Sequence, residues 1–314
     1  MVDLDIADIG IKLVGAIILV LVILFFLTWS GMVRCGSIPY WCDVYESVMG
    51  SPRVLIVYGD EGIGDPDELK LMLMDPNKVG VNAVDSLHID RISSGNLQKY
   101  KLVIVEHAKK MSLDQLSMFV DYVNLNGGRL VWVGDAGTQK AEDELENLID
   151  VNDQQLKLDN PWARARETQT EYVLLNFDEF LGLRFVGNYC TQTNCVANNF
   201  SPGIIVTEVT NSHRLIYGLT PAMELRIHPE KDFSIVSQFP NLPNSNIVLS
   251  LDQGSVKQGK EKQFPRFLPI IVTSGMGERV AYYAYPLEYY CADNNTPNAC
   301  TLLLKQMFYG MLGK

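Results

Sequence analysis

Positive charge is scarce in this sequence: 26 Lys and Arg face 37 Asp and Glu, a formal net charge of −11 over 314 residues. A nucleic-acid-binding surface must neutralise phosphates with Lys and Arg, so no nucleic acid is expected as a partner. Glycine (24) and proline (14) are too few for a fibrous or low-complexity chain. Charged residues of either sign make up only 20% against 47% apolar, which excludes disorder. A basic leader is also missing. Asp3, Asp5 and Asp8 precede the first apolar run, where a cleaved secretory signal would carry Lys or Arg.

What is present begins with that run. Leu13 to Val33 is 21 residues without a charge, long enough to cross a bilayer, with Trp29 near one end where interfacial aromatics sit. The expected organisation is a short acidic segment at 1–10, a transmembrane anchor at 11–33, a neck at 34–51 and a folded domain at 52–314. Lys12 and Arg34 flank the run almost symmetrically, so orientation rests on the cysteines. All six follow the run in short-range pairs, Cys35 with Cys42, Cys190 with Cys195 and Cys291 with Cys300. That pattern reads as disulfides in an oxidising compartment, with zinc as the alternative. The expected location is therefore the cell membrane, single-pass, with the C-terminal domain outside. The sequons at Asn199 and Asn294 fit an exported glycoprotein.

Within the domain, Arg53–Tyr58, Val81–Ile89, Lys101–Glu106 and Arg129–Val133 read as strands. A helical stretch covers Asp67–Met74. A second helix starts at the capping box Ser112/Gln115, carries Leu113, Leu116, Phe119, Val120 and Val123 on one face, and stops at Gly127-Gly128. Alternation of this kind predicts an α/β fold, an open, mostly parallel sheet with helices on both faces. The order from Val54 to Asn126-Gly127-Gly128-Arg129-Leu130-Val131-Trp132-Val133-Gly134 resembles the class I glutamine amidotransferase-like superfamily. The similarity is to its divergent ThuA-like members and to non-catalytic domains of membrane-associated transport and motility proteins. Ser212-His213-Arg214-Leu215-Ile216-Tyr217-Gly218-Leu219 is similar to a His-Pro segment of those families, with Arg214 in place of proline. Pro269 to Tyr283 resembles their terminal hairpin and Thr301–Leu312 their closing helix. The resemblance implies an amidotransferase-like, flavodoxin-like core, with insertions near 140–200 and 229–268.

Amidotransferases of this type carry a nucleophilic cysteine on the turn after the Gly-Gly strand, beside backbone N–H donors that hold the oxyanion. Here the turn is Gly134-Asp135-Ala136-Gly137, with neither thiol nor hydroxyl. His228-Pro229-Glu230 has the spacing of the family's His-x-Glu pair, yet the resemblance places that pair near Ala284–Glu288, so His228 is read as a loop residue. Asp60, Glu61, Asp65, Asp67 and Glu68 follow the first strand and hence lie at the carboxyl edge of the sheet. They read either as helix capping and solvated charge or, with His88, His107 and Asp135 brought close, as a divalent-cation site; otherwise no cofactor is expected. Two functional readings follow. The first is a membrane-anchored, non-catalytic scaffold that binds the lipid bilayer and membrane or cell-surface proteins, or itself, through the 140–200 insertion with Trp162, Tyr172 and Phe177. The alternative is an exported hydrolase or carbohydrate-acting enzyme, metal-assisted, at the Asp60/Asp135 edge.

Overall fold

The computed structural model describes residues 6–29, 33, 38, 41–50, 52–145, 147–149, 155–168, 171–193, 204–206, 213–220, 231–239, 245–252, 265, 267–291 and 297–313. Two compact units result, Met1–Ser51 with Leu312–Lys314, and Pro52–Met311.

In the first unit, α1 is continuous over Ile6–Trp29, 24 residues. Its described side chains, Lys12 to Thr28, include Leu13, Val14, Ile17, Ile18, Val22 and Phe26, each more than half exposed. Among the described residues no helix is long and apolar enough to cross a membrane. The helix bounds differ from the expected 11–33. The described helix starts at Ile6 and so includes Asp8 of the acidic segment. The expected neck carries a helix of its own, α2 (Trp41–Met49). The Trp41 indole donates to Thr28 Oγ1 at 2.8 Å, and the Tyr45 ring packs tilted against Phe25 with centroids 4.9 Å apart. Trp41 and Tyr45 are four apart and share a face, and their partners run the other way along α1, so the two helices pack antiparallel.

The second unit opens with β1 (Val54–Tyr58), α3 (Pro66–Met74), β2 (Val84–His88), α4 (Ser94–Leu97), β3 (Leu102–Val105), α5 (Leu113–Asn124) and β4 (Arg129–Val133). Two hairpins follow, β5 (Asn147–Ile149) with β6 (Gln155–Lys157) and β7 (Ala163–Glu167) with β8 (Tyr172–Asn176). Next come α6 (Phe177–Leu181), β9 (Leu183–Asn188), α7 (Tyr189–Thr193), β10 (Ile204–Val206), β11 (Ser234–Gln238), β12 (Asn246–Asp252), β13 (Phe267–Ser274), β14 (Val280–Tyr283), α8 (Leu287–Cys291) and α9 (Pro297–Lys305), which continues as a π-helical turn over Gln306–Gly310.

Eight strands form one sheet in the order β10-β12-β13-β14-β4-β3-β1-β2. From β14 to β2 all neighbours are parallel, and from β10 to β14 all are antiparallel. The apolar strands β1, β3 and β4 lie inside the sheet, with Val54, Ile56, Leu102, Ile104 and Val131 fully buried. The edge strand β2 tolerates Asp85 and His88 because it is covered less. The Ser112/Gln115 capping box is formed as read, and α3 is capped by Asp65 with Pro66 at its first turn. On α5, Tyr122 joins the buried face while Val120 is only half-buried. Tyr122 explains Gly128: a Cβ there would stand 2.2 Å from the Tyr122 ring. Residues 229–268 are less of an insertion than the sequence suggests, because β12 is a strand of the central sheet.

The two late stretches that carry the resemblance meet in space. His213 Nε2 lies 3.2 Å from Glu278 Oε2, and the Arg214 guanidinium donates to the carbonyls of Gly277 and Glu278 at the β13–β14 tip. Hydrogen bonds from His213 first, then Asn246 and Thr273, bring the Glu278 carboxyl down to about 2 against the cost of its burial. Arg214 thus ties a hairpin that proline in its place could not reach.

Cys291 and Cys300 are disulfide-bonded with Cα atoms 5.3 Å apart, and Cys190 is also bonded. Cys35, Cys195, Asn199, His228 and Asn294, with the side chain of Cys42, lie outside the described residues. The Cys291–Cys300 loop is short, so Cys300→Ser is expected to lower stability by roughly 2–3 kcal/mol, read by urea unfolding without reductant.

Candidate functional site

The carboxyl edge of the parallel strands is where ligands bind in sheets of this type, at the point between β1 and β3 where strand order reverses. The chain itself fills that point. The loop from Gly59 to Asp65 crosses it and is bonded to the segment after β3: Gly59 N donates to His107 O at 2.9 Å, His107 N to Ile63 O at 2.9 Å and Lys109 N to Glu61 O at 2.8 Å. Close approach demands glycine on the loop. Gly62 and Gly64 have φ of 137° and 120°, and a Cβ on Gly62 would touch His107 backbone at 3.0 Å. His107 holds φ of 50° at the strand end, a conformation sparsely populated by L residues.

The turn after β4 is stitched as tightly. Asp135 is 2% exposed; its Oδ1 accepts from Ile63 N at 2.8 Å and its Oδ2 from Asn188 Nδ2 at 2.9 Å. The Ala136 carbonyl accepts from two indoles, Trp132 and Trp162, each at 2.9 Å. Tyr282 donates to Gly134 O, and Arg164 to Gly137 O. The amides of this turn are engaged as well: Ala136 N donates to Val133 O at 3.3 Å and Gly137 N to Ala108 O at 2.9 Å. The positive φ falls on Gly134 and Gly137 rather than on Asp135.

Behind the loop sit two acids that the sequence does not single out as a pair. Glu106, directly after β3, and Glu288, on α8, are both fully buried. Glu288 Oε1 accepts from Asp65 N at 2.9 Å, whereas Glu288 Oε2 and both Glu106 oxygens have no hydrogen-bond partner. Burial first, then the neighbouring Glu288 and Asp65, holds the Glu106 carboxyl well above its ordinary range; burial likewise raises Glu288 to about 8. Tyr289, which accepts from Gly64 N at 3.1 Å, rises to about 12 through burial.

Of the expected cation candidates, Asp60 and His88 approach each other and Glu61 lines the same pocket, whereas Asp65, His107 and Asp135 are engaged elsewhere. His88 lies between two acids, its Nε2 3.2 Å from Asp60 Oδ1 and its Nδ1 3.4 Å from Asp90 Oδ2. These residues, with Glu61, Lys110 and Gln115, line an open pocket of about 530 Å³. Asp65 is occupied as the α3 cap, His107 points its Nδ1 into the interior, and Asp135 is consumed by Ile63 and Asn188. Among the described residues no three His, Cys, Asp or Glu side chains are placed to hold a metal ion. The aromatics expected to form a contact surface divide in the same way: Trp162 and Phe177 are fully buried, packing on Tyr282 and Trp132, while Tyr172 is 44% exposed.

The fold resembles that of the ThuA-like proteins. A ThuA-like protein from Bacteroides uniformis superposes with a TM-score of 0.51 at 15% identity, over 83% of this chain and 92% of that one. A second, from Parabacteroides merdae, gives 0.42 at 16% identity over 81% and 88%, and the mmIFT52 N-terminal domain gives 0.46 at 14% over 82% and 96%. No protein-family model and no curated protein matches the sequence. At such identity the likeness is one of fold. It agrees with the mostly parallel α/β core and the amidotransferase-like order read from the strands.

Proposed function

We propose that this chain is a single-pass membrane protein whose large domain is non-catalytic and serves as a binding or assembly scaffold at the cell surface. The observation that carries the non-catalytic half is the turn at Gly134–Gly137, where the Ala136 and Gly137 amides are already bonded and the nucleophile position holds a buried structural carboxylate. An oxyanion site needs donors that await the transition state, and here they are engaged by the fold. The anchor half is supported by the 21 uncharged residues from Leu13 to Val33 and by a helix whose apolar side chains are left open on most of its surface, an exposure that water penalises and lipid does not. The bonded cysteines support an oxidising compartment for the domain.

With Trp162 and Phe177 committed to the interior, the described apolar side chains that the insertion presents include Tyr172 and Leu174, 44% and 51% exposed on one face of β8. Alkaline extraction of membranes is expected to leave the full chain in the pellet. Cross-linking at native abundance is expected to give a higher-mass species that Tyr172→Ser with Leu174→Ser weakens without loss of folding. Release at alkaline pH removes the anchor; a strictly monomeric chain removes the scaffold. Hydrolysis of glutamine or of a glycoside that is abolished by His88→Ala replaces the scaffold with an enzyme working at the Asp60/His88 pocket.

A further inference from the structure

We propose that Glu106 and Glu288 form a proton-operated latch on the Gly59–Asp65 loop, closed while both carboxyls are protonated and released when they ionise, so that the crevice between β1 and β3 opens. Three features place the latch. First, the pair sits under the loop: a Cβ on Gly64 would meet Glu106 Oε2 at 3.1 Å, and Asp65 N is bonded to Glu288 Oε1. Second, three of the four carboxyl oxygens are buried without a hydrogen-bond partner, a cost that neutral acids bear more easily than carboxylates. Third, the loop's hold on the strand end is strained: Ile63 lies between two glycines of positive φ, and its carbonyl accepts from His107, whose own φ is 50°.

The charges facing the pair offer it little relief. Asp65 and Glu68 approach from the first turn of α3 and are acidic; from α8 comes the Tyr289 hydroxyl. On the Tyr289 ring lies the Lys231 ammonium, 4.5 Å from the centroid. The polar groups in favour of a carboxylate are the amides of Asp65 and of Glu288 itself, and they are outweighed by burial. Ionising both acids therefore leaves like charges in a dry site, and the least costly escape is to let water in by lifting the loop. What breaks is a short set of bonds: Gly59 N to His107 O, His107 N to Ile63 O, Lys109 N to Glu61 O, Ile63 N to Asp135, Gly64 N to Tyr289 and Asp65 N to Glu288. The β4 ladder is untouched.

Hydrogen exchange of the full chain, followed by mass spectrometry from pH 6 to 9 and corrected for intrinsic exchange, tests this. Protection of a peptide covering 59–66 is expected to fall by about tenfold or more across that range, a one-unit shift in proton affinity being worth a factor of ten. A peptide covering 129–133 is expected to keep its protection. In Glu106→Gln with Glu288→Gln, which keeps the acceptor for Asp65 N, the loop is expected to stay protected throughout. Should that pair of changes prevent folding, the wild-type profile decides alone. Constant protection of 59–66, the same fall in the double variant, or simultaneous loss over 129–133 overturns the latch.

Discussion

Arg164→Ala is expected to destabilise the domain by about 3–5 kcal/mol, the cost of leaving one partner of a buried ion pair without the other. The Arg164 and Glu144 side chains are 0% and 1% exposed and 2.8 Å apart. Burial pulls the guanidinium below its usual range, and Glu144 restores part of that. Arg164 also donates to the carbonyls of Gly137 and Gln139, while Glu144 accepts from Leu113 N at 2.6 Å. The pair thus joins the insertion, the turn after β4 and the start of α5. Exchange of both residues for Met and Leu is expected to recover only part of the loss. It removes the orphaned charge but leaves Gly137 O, Gln139 O and Leu113 N without these partners. Guanidinium unfolding of the domain measures both. A loss below about 1 kcal/mol for Arg164→Ala would mean that water reaches the pair.

Sequence alone carries the parallel half of the sheet because the signals there are local. Val54–Tyr58, Leu102–Val105 and Arg129–Val133 are short apolar runs bounded by polar turns, and Ser112 and Gln115 cap the helix three residues apart. The lack of a thiol or hydroxyl in Gly134-Asp135-Ala136-Gly137 is legible for the same reason. The work Asp135 performs instead is not, since its partners Ile63 and Asn188 are 72 and 53 residues away. Trp162 and Phe177 look alike in sequence whether they face solvent or plug the core. In Ala163-Arg164-Ala165-Arg166-Glu167, nothing local distinguishes the buried Arg164 from Arg166, which pairs with Asp114 near the surface. Glu106 and Glu288 did leave a trace. Each follows a run of mostly apolar residues, Leu102–Val105 and Ala284-Tyr285-Pro286-Leu287, although an acid at Glu288 also fits the first turn of a helix. Their proximity comes from the fold alone, because β3 and β14 flank β4 in the sheet.

That pair makes the stability of the domain fall as pH rises from about 5 to 8, opposite to the usual acid denaturation. Glu288 titrates near 8 in the folded chain against about 4.5 unfolded, and Glu106 is displaced in the same direction. Between those values the folded state holds protons that the unfolded state has released, so raising pH draws the equilibrium toward unfolding. The contribution is present in full below about pH 4.5 and is lost as pH climbs through the folded value, at up to roughly 1.4 kcal/mol per pH unit for each group. Glu278, lowered to about 2, acts in the other sense: its contribution is complete above pH 4.5 and lost as pH falls toward 2. The contributions of these three groups taken alone are therefore most favourable near pH 5. Glu288→Gln is expected to flatten the decline, matching wild type at pH 5 and exceeding it by about 2–3 kcal/mol at pH 8, because the amide keeps the acceptor for Asp65 N without the titrating proton. Opening of the loop would cap the wild-type loss, since hydrated carboxylates no longer pull on the fold. The decline should then level off above the pH at which 59–66 loses protection. Urea midpoints at half-unit intervals from pH 4.5 to 9 give the curve, and stability that is flat or rising from pH 5 to 8 excludes a buried, protonated pair.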